Sequence, residues 1–125
     1  MLYSILIYGS EDRAAAWTPE QEKEVMDRHA ALRAGLTADG RLGPVMRLVP
    51  KQAKTVRRGR PVNEITDGPF AETKEQLMGL YVIECATFEE ALAAVEQLDF
   101  DTGVFEITPL VYMDPGMLPP VTPTK

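Results

Sequence analysis

Apolar residues along the chain fall into short strand-like runs that alternate with helical stripes. The first run, Leu2–Tyr8, is apolar at both alternating sets of positions except at Ser4, which is typical of an interior strand that is covered on both faces. Leu80–Glu84 has the same character, and Gly103 precedes a last strand that we predict over Val104–Met113. The pattern therefore predicts a sheet with two apolar faces.

The first helix is predicted to run from Thr18 to Gly40. Thr18 and Gln21 have the spacing of a capping box, Pro19 suits the first helical position, and Gly40 suits the C-terminal end. Glu11–Trp17, before it, is predicted to be a loop. One stripe of the helix is expected to face the sheet, and it consists of Val25, His29, Leu32 and Leu36.

The stretch between the first helix and Leu80 predicts an edge strand and a hairpin. Arg41–Val49 is strand-like, but Gly43-Pro44 interrupts it, which indicates an edge position or a bulge. Lys54–Arg58 and Val62–Thr66 flank a Gly-Arg-Pro turn and predict the hairpin. Its basic residues are interpreted as a solvated face or, alternatively, as a site for an anion or a partner.

The second helix begins at Thr87, since Glu90 lies at the spacing of a capping box. The order of elements is then β-α-β, a hairpin insertion, and β-α-β. This order predicts an α+β fold of the ferredoxin-like, split βαβ type, with both helices on one face of an antiparallel sheet. A second copy of the chain would cover the other face, so a homodimer is expected. The predicted apolar stripe of the helix is Phe88, Ala91, Leu92, Val95 and Leu98.

A sharp turn is predicted at Asp67-Gly68-Pro69, where three turn-forming residues follow one another. In one interpretation the turn is a structural corner, and Phe70 behind it packs in the core. In the other it forms the rim of a pocket that offers polar groups to a ligand. Those groups are Asp67, Glu72, Thr73 and Lys74.

The composition limits the class of protein. With 125 residues, 45% of them hydrophobic, the chain suits one domain over residues 1–114, followed by a proline-rich tail over residues 115–125. No run is long enough to cross a membrane, and Leu2–Tyr8 lacks the basic flank of a signal peptide. Cys85 is the only cysteine, which favours a cytoplasmic location. The net charge of −6 argues against direct nucleic-acid binding.

The run Asp67–Leu77, which reads DGPFAETKEQL, is followed by a glycine and an apolar strand. It resembles the signature of the DGPF proteins of the YCII-related family, and a looser likeness extends from Leu2 to about Val111. Met78 stands where these proteins commonly have a second glycine. The resemblance implies a ferredoxin-like fold that pairs into a dimeric α+β barrel. It implies no particular substrate.

His29 is the candidate for acid–base chemistry. A lone histidine on an apolar stripe is most often a packed residue, and the functional alternative is a proton-transfer group in the cleft between helix and sheet. The resemblance implies a histidine in the first helix that pairs with an aspartate, and both Asp39 and Asp67 are candidates for that partner. Ser4, Tyr81 and Lys74 are candidates for orienting a polar substrate.

Other site chemistries lack the residues they need. One histidine and one cysteine cannot form a His/Cys zinc site, and no calcium-loop spacing occurs. The glycine-rich motifs of nucleotide-binding proteins are also missing, so no cofactor is expected. No metal is expected either, although a site built from carboxylates alone stays open.

Two hypotheses for function follow. In the first, the chain binds a small-molecule ligand and His29 performs acid–base chemistry on it. In the second, the chain is a non-catalytic regulatory module associated with an extracytoplasmic-function sigma factor, as the resemblance to DGPF proteins implies. A pocket with His29 facing it would favour the first, and a packed His29 beside an exposed turn at Asp67–Phe70 would favour the second.

Overall fold

A four-stranded antiparallel sheet with its helices on one face forms the centre of the computed structural model, which describes residues 1–70, 75–98 and 103–122. The elements are β1 (Leu2–Gly9), α1 (Glu11–Ala15), α2 (Pro19–Ala38), β2 (Leu42–Arg47), a 3₁₀ turn (Pro50–Gln52), β3 (Lys54–Arg57), β4 (Glu64–Asp67), β5 (Gln76–Glu84), α3 (Phe88–Glu96) and β6 (Val104–Pro109). The strands stand in the order β2-β5-β1-β6, and β3 and β4 form a separate two-stranded sheet. This arrangement confirms the predicted ferredoxin-like α+β fold with a hairpin insertion.

The sheet register separates two sets of side chains. On the helix face, Val45, Tyr81, Ile5 and Ile107 form one row across the four strands. On the other face, which we call the open face, the adjacent row is Met46, Leu80, Leu6 and Glu106. Both rows are largely apolar, because successive residues of each interior strand point to opposite faces and both sets are hydrophobic.

Helix α2 begins and ends where local signals place it. The Thr18 hydroxyl accepts from the Gln21 N–H at 3.2 Å, and the Gln21 side chain accepts from the Thr18 N–H at 2.9 Å, so the capping box is formed. Gly40 has a φ of 66°, which favours glycine and ends the helix. The buried residues of the helix are Val25, Leu32 and Leu36, which confirms the predicted stripe.

The predicted apolar stripe of α3 is confirmed in part. Thr87 caps the helix as expected, but the Glu90 carboxylate accepts from the Ala86 N–H rather than from Thr87. Phe88 and Leu92 are 48% and 38% exposed. Ala91, Val95 and Leu98 of the predicted stripe do pack on the core, and Ala94 joins them.

Strand β2 lies at the edge of the sheet and carries the predicted irregularity. Its register with β5 shifts between Leu42 and Val45. A Cβ atom on Gly43 would lie 2.7 Å from the Val82 carbonyl oxygen, so only glycine allows this close approach. The β3–β4 hairpin is also confirmed, and Lys54 pairs with Asp67 across it.

Several boundaries differ from the sequence prediction, and among them β5 begins at Gln76 rather than at Leu80. Glu11–Ala15 is a short helix rather than a loop, because the Ser10 hydroxyl accepts from the Arg13 N–H and caps it. The last strand ends at Pro109 and does not continue to Met113. Beyond it, Met117, Leu118 and Val121 are almost fully exposed. The division into a domain and a tail remains a prediction.

Phe70 does not pack in the core, so the expectation that it forms a buried corner is wrong for a single chain. Its side chain is 74% exposed, and the Arg57 guanidinium lies 5.3 Å from the centre of its ring. Gly68 does form the sharp turn, with a φ of 94°. The turn therefore presents Phe70 outward, where a cation–π contact replaces burial. Three candidates from the pocket-rim interpretation, Glu72, Thr73 and Lys74, lie outside the described residues.

None of the helices in the described ranges is long and apolar enough to cross a membrane.

Replacing Phe70 by alanine should lower the free energy of unfolding by less than about 1 kcal/mol, because an exposed cation–π contact contributes little. Leu32→Ala, at a position 2% exposed, should cost about 2–5 kcal/mol and serves as the matched control. Urea denaturation of both variants measures the difference. A loss above about 2 kcal/mol for Phe70→Ala would contradict its exposed position.

Candidate functional site

His29 and Tyr81 form a polar pair between α2 and the sheet. Tyr81 projects from the helix face of β5 and is 2% exposed, while His29 is half-buried above it. The Nδ1 atom of His29 lies 2.7 Å from the Tyr81 hydroxyl oxygen. The two rings are stacked, with centroids 5.8 Å apart and an interplanar angle of 13°. The structure thus joins two of the predicted site residues in one hydrogen-bonded unit.

The surroundings of His29 keep its imidazole neutral. Burial, together with the positive charges of Arg33 and Arg47, lowers its pKa from 6.5 to about 4. If His29 performed acid–base chemistry in the free protein, its imidazole would be expected to titrate in the neutral range. A pKa of about 4 lies below that range. At pH 7 His29 is therefore a neutral hydrogen-bonding group that can accept a proton only weakly.

Tyr81 also keeps its proton. Burial raises the pKa of its hydroxyl, and hydrogen bonding to Arg33 together with the positive charge of Arg33 opposes this rise. The pair at pH 7 is therefore an imidazole and a phenol, both uncharged, that share one hydrogen bond.

Two arginines stand next to this pair. Arg33 follows His29 by one helical turn on α2, so the two side chains are neighbours on the helix surface. Arg47 is opposite Gly79 and Val45 is opposite Tyr81, which places Arg47 on the helix face, diagonal to Tyr81. A Cβ atom on Gly79 would lie 2.6 Å from the Met46 carbonyl oxygen, so glycine is required for β2 to approach at this point.

Sequence reasoning did not select either arginine. The i,i+4 spacing from His29 was a usable signal for Arg33. No comparable signal existed for Arg47, because the irregularity at Gly43-Pro44 hides which residues of β2 share a face with Tyr81.

The structure does not bring the two candidate aspartates into contact with His29. Asp39 caps the C-terminus of α2, about 15 Å along the helix axis from His29 at 1.5 Å per residue. Its carboxylate lies 3.8 Å from Arg41. Asp67 is in the β3–β4 hairpin, where its side chain is 93% exposed and lies 4.0 Å from Lys54. A histidine–aspartate pair through either residue stays a prediction from the family resemblance.

Ser4 lies on the other side of the sheet from Tyr81. Its neighbours in β1, Tyr3 and Ile5, belong to the core under the helices, so Ser4 points to the open face. There its hydroxyl donates to the Thr108 carbonyl at 3.3 Å. This geometry satisfies the buried hydroxyl and separates it from the His29–Tyr81 pair.

A shallow depression of about 480 Å³ lies elsewhere, along the outer side of α2. Its lining includes the ion pairs Lys23–Asp27 and Arg28–Glu24, each spaced i,i+4. Such pairs are typical of a solvated helix face. Within the described ranges, no group of three or more His, Cys, Asp and Glu side chains is arranged to hold a metal ion.

Comparison with known proteins identifies relatives over nearly the whole chain. The model of a protein family described as the YCII-related domain matches residues 1–114. An uncharacterized protein of Rhizobium meliloti (strain 1021) is 43% identical over 123 residues, which cover 95% of this chain and 99% of that protein.

The proton NMR signal of the His29 ring should titrate with a midpoint of about 4. Arg47→Gln should raise that midpoint, because it removes a positive charge that disfavours the imidazolium ion. Arg13→Gln, on α1, is a control that should leave it unchanged. A wild-type midpoint between pH 6 and 7 would contradict the burial and charge environment described here.

The same shift predicts how stability depends on pH. The folded pKa of about 4 lies below the unfolded value of 6.5, so the unfolded chain binds the proton more readily. The contribution of His29 to the free energy of unfolding is therefore complete above about pH 6.5 and declines as the pH falls towards 4. We expect a loss of about 2 kcal/mol across this window, because partial exposure reduces the full effect. His29→Asn should remove this component of a pH series of urea denaturations.

Proposed function

The chain belongs to the YCII-related family, and we propose that it binds a small-molecule ligand between α2 and the sheet, at the His29–Tyr81 pair. The observation that carries this proposal is the 2.7 Å contact between the His29 ring and the Tyr81 hydroxyl. Polar side chains in a helix–sheet interface are costly unless they are hydrogen-bonded. The pair is hydrogen-bonded, its His29 member is half-buried, and two cations lie beside it, so it is a suitable place to orient a polar ligand.

Proton transfer at this site depends on the ligand. A neutral imidazole at pH 7 has the correct form for a general base, but a pKa of about 4 makes it a weak one. A ligand that brings negative charge or excludes Arg33 and Arg47 from the ring raises that pKa. In this proposal His29 is the proton-transfer group, and Tyr81 is its partner and holds the ring in place.

The chain is also proposed to form a homodimer through the open face. Met46 is 47% exposed and Val104 is 52% exposed on this face, and between them lie the half-buried Leu6 and Leu80. A contiguous apolar sheet face of this kind is typical of a surface that another protein covers. A second copy of the chain presents the same face, which a two-fold symmetric dimer requires.

The regulatory alternative has one observation in its favour. The β3–β4 hairpin exposes Val56, Val62 and Ile65 at 56%, 74% and 64%, and Phe70 beside it is also exposed. Apolar side chains interspersed with basic residues on a projecting hairpin suit a protein-binding surface. Under this proposal the partner is a sigma factor of the extracytoplasmic-function class, in the cytoplasm, and His29 has only a packing role.

Ligand binding can be tested with a panel of polar metabolites that are screened by thermal shift against the wild-type chain. Compounds that stabilise it should lose their effect with His29→Asn and with Tyr81→Phe, because each variant breaks the hydrogen-bonded pair. Val62→Ser, on the hairpin, is the matched control and should bind as the wild type does. Binding that survives both site variants would place the ligand elsewhere.

The dimer has a separate test in light scattering at micromolar concentration, where the wild type should have about twice the 13.9 kDa mass of one chain. Met46→Glu should shift the protein towards the monomer, because it puts a charge into the proposed interface. Val62→Glu introduces the same charge at an exposed hairpin position and should leave the mass unchanged. A monomeric wild type would overturn the proposed dimer.

A further inference from the structure

Two arginines lie beside the pair of uncharged side chains at the candidate site. Arg33 lies one helical turn after His29 on α2, and its positive charge acts on both His29 and Tyr81. Arg47 reaches the site from the end of β2, diagonal to Tyr81 on the same face. Because the two arginines belong to different elements, they flank His29 and Tyr81 from the helix and from the sheet.

Neither charge is compensated within the described part of the chain. Two arginines elsewhere in the chain do have carboxylate partners there: Arg28 lies 2.9 Å from Glu24, and Arg41 lies 3.6 Å from Glu90. Arg33 and Arg47 have no such ion pair among the described residues. The site is therefore a local positive region on an acidic protein.

We infer that the ligand of this site is a small anion, a carboxylate or a phosphate, which Arg33 and Arg47 hold above the His29–Tyr81 pair. The inference rests on the proposed function, since it concerns the same site, and it adds the chemical class of the ligand. A guanidinium offers two parallel N–H donors, which suit the oxygen atoms of a carboxylate and of a phosphate equally well.

Anion binding and the protonation of His29 are coupled. The ionisable groups that face His29 include Arg33 on its own helix, Arg47 on β2 and Tyr81 on β5. A bound anion offsets the two positive charges and favours the imidazolium ion, so it raises the pKa of His29. By linkage, protonation of His29 strengthens anion binding by the same factor.

The experiment follows the single histidine by proton NMR while a probe is added at constant ionic strength. Trifluoroacetate is the carboxylate probe, inorganic phosphate is the phosphate probe, and trifluoroacetamide is a neutral analogue of similar shape. Either anion at tens of millimolar should raise the titration midpoint of His29 by about one pH unit or more, and the amide should not. The anion with the larger effect identifies the class of ligand.

Variants test whether the arginines are responsible. Arg33→Gln and Arg47→Gln should each weaken binding of the effective probe by about tenfold or more, as expected for the loss of a charge-assisted hydrogen bond. Arg28→Gln is the matched control, because it lies on α2 but is paired with Glu24, and it should bind as the wild type does. Equal weakening by Arg28→Gln would indicate a general charge effect and overturn the inference.

The outcomes separate this inference from the proposed function. If neutral metabolites perturb the His29 signal and neither anion does, the ligand site stands and the anionic class is wrong. If neither anions nor neutral compounds perturb it, both proposals fail.

Discussion

A sheet whose two interior strands are apolar on both faces is the constraint on which the rest of this fold depends. On the helix face, Ile5 and Ile83 are fully buried under α2 and α3. On the open face, Leu6 and Leu80 remain only half-buried. The free energy gained from hydrophobic burial is roughly proportional to the apolar area removed from water. The helices cover only one face of the sheet, so the apolar surface of the open face could still be buried with a further gain in free energy. This further gain in free energy is the physical basis for the proposed dimer.

The candidate site is a consequence of the same packing. The apolar stripe that anchors α2 contains one polar member, His29, which is brought over Tyr81 when Leu32 and Leu36 pack on the sheet. The hydrogen bond between the His29 Nδ1 atom and the Tyr81 hydroxyl offsets the cost of removing these polar groups from water. Burial then lowers the pKa of the imidazole and raises that of the phenol, so both groups stay neutral. The packing of α2 on the sheet therefore determines both the position of the pair and the neutral state of its two groups.

Features with local causes could be predicted from sequence, whereas features that depend on tertiary register could not. The capping box at Thr18 and the helix stop at Gly40 involve residues within a few positions of each other, and both are confirmed. The role of Arg47 depends on strand pairing through an irregular segment, so no local pattern indicates it. Phe70 shows the same limit, since the Asp67–Pro69 turn was recognisable but the direction of the side chain after it was not. The hydrogen-bonded pair of His29 and Tyr81 joins residues that are 52 positions apart.

The electrostatics of the site give His29 a conditional role. In the free protein the positive charges of Arg33 and Arg47 act against protonation of the ring and add to the effect of burial. An anion between these arginines would remove that part of the opposition, while burial would remain. The ring would then be more basic when an anionic ligand is present than when it is absent. The ligand itself would then supply negative charge that raises the pKa of His29.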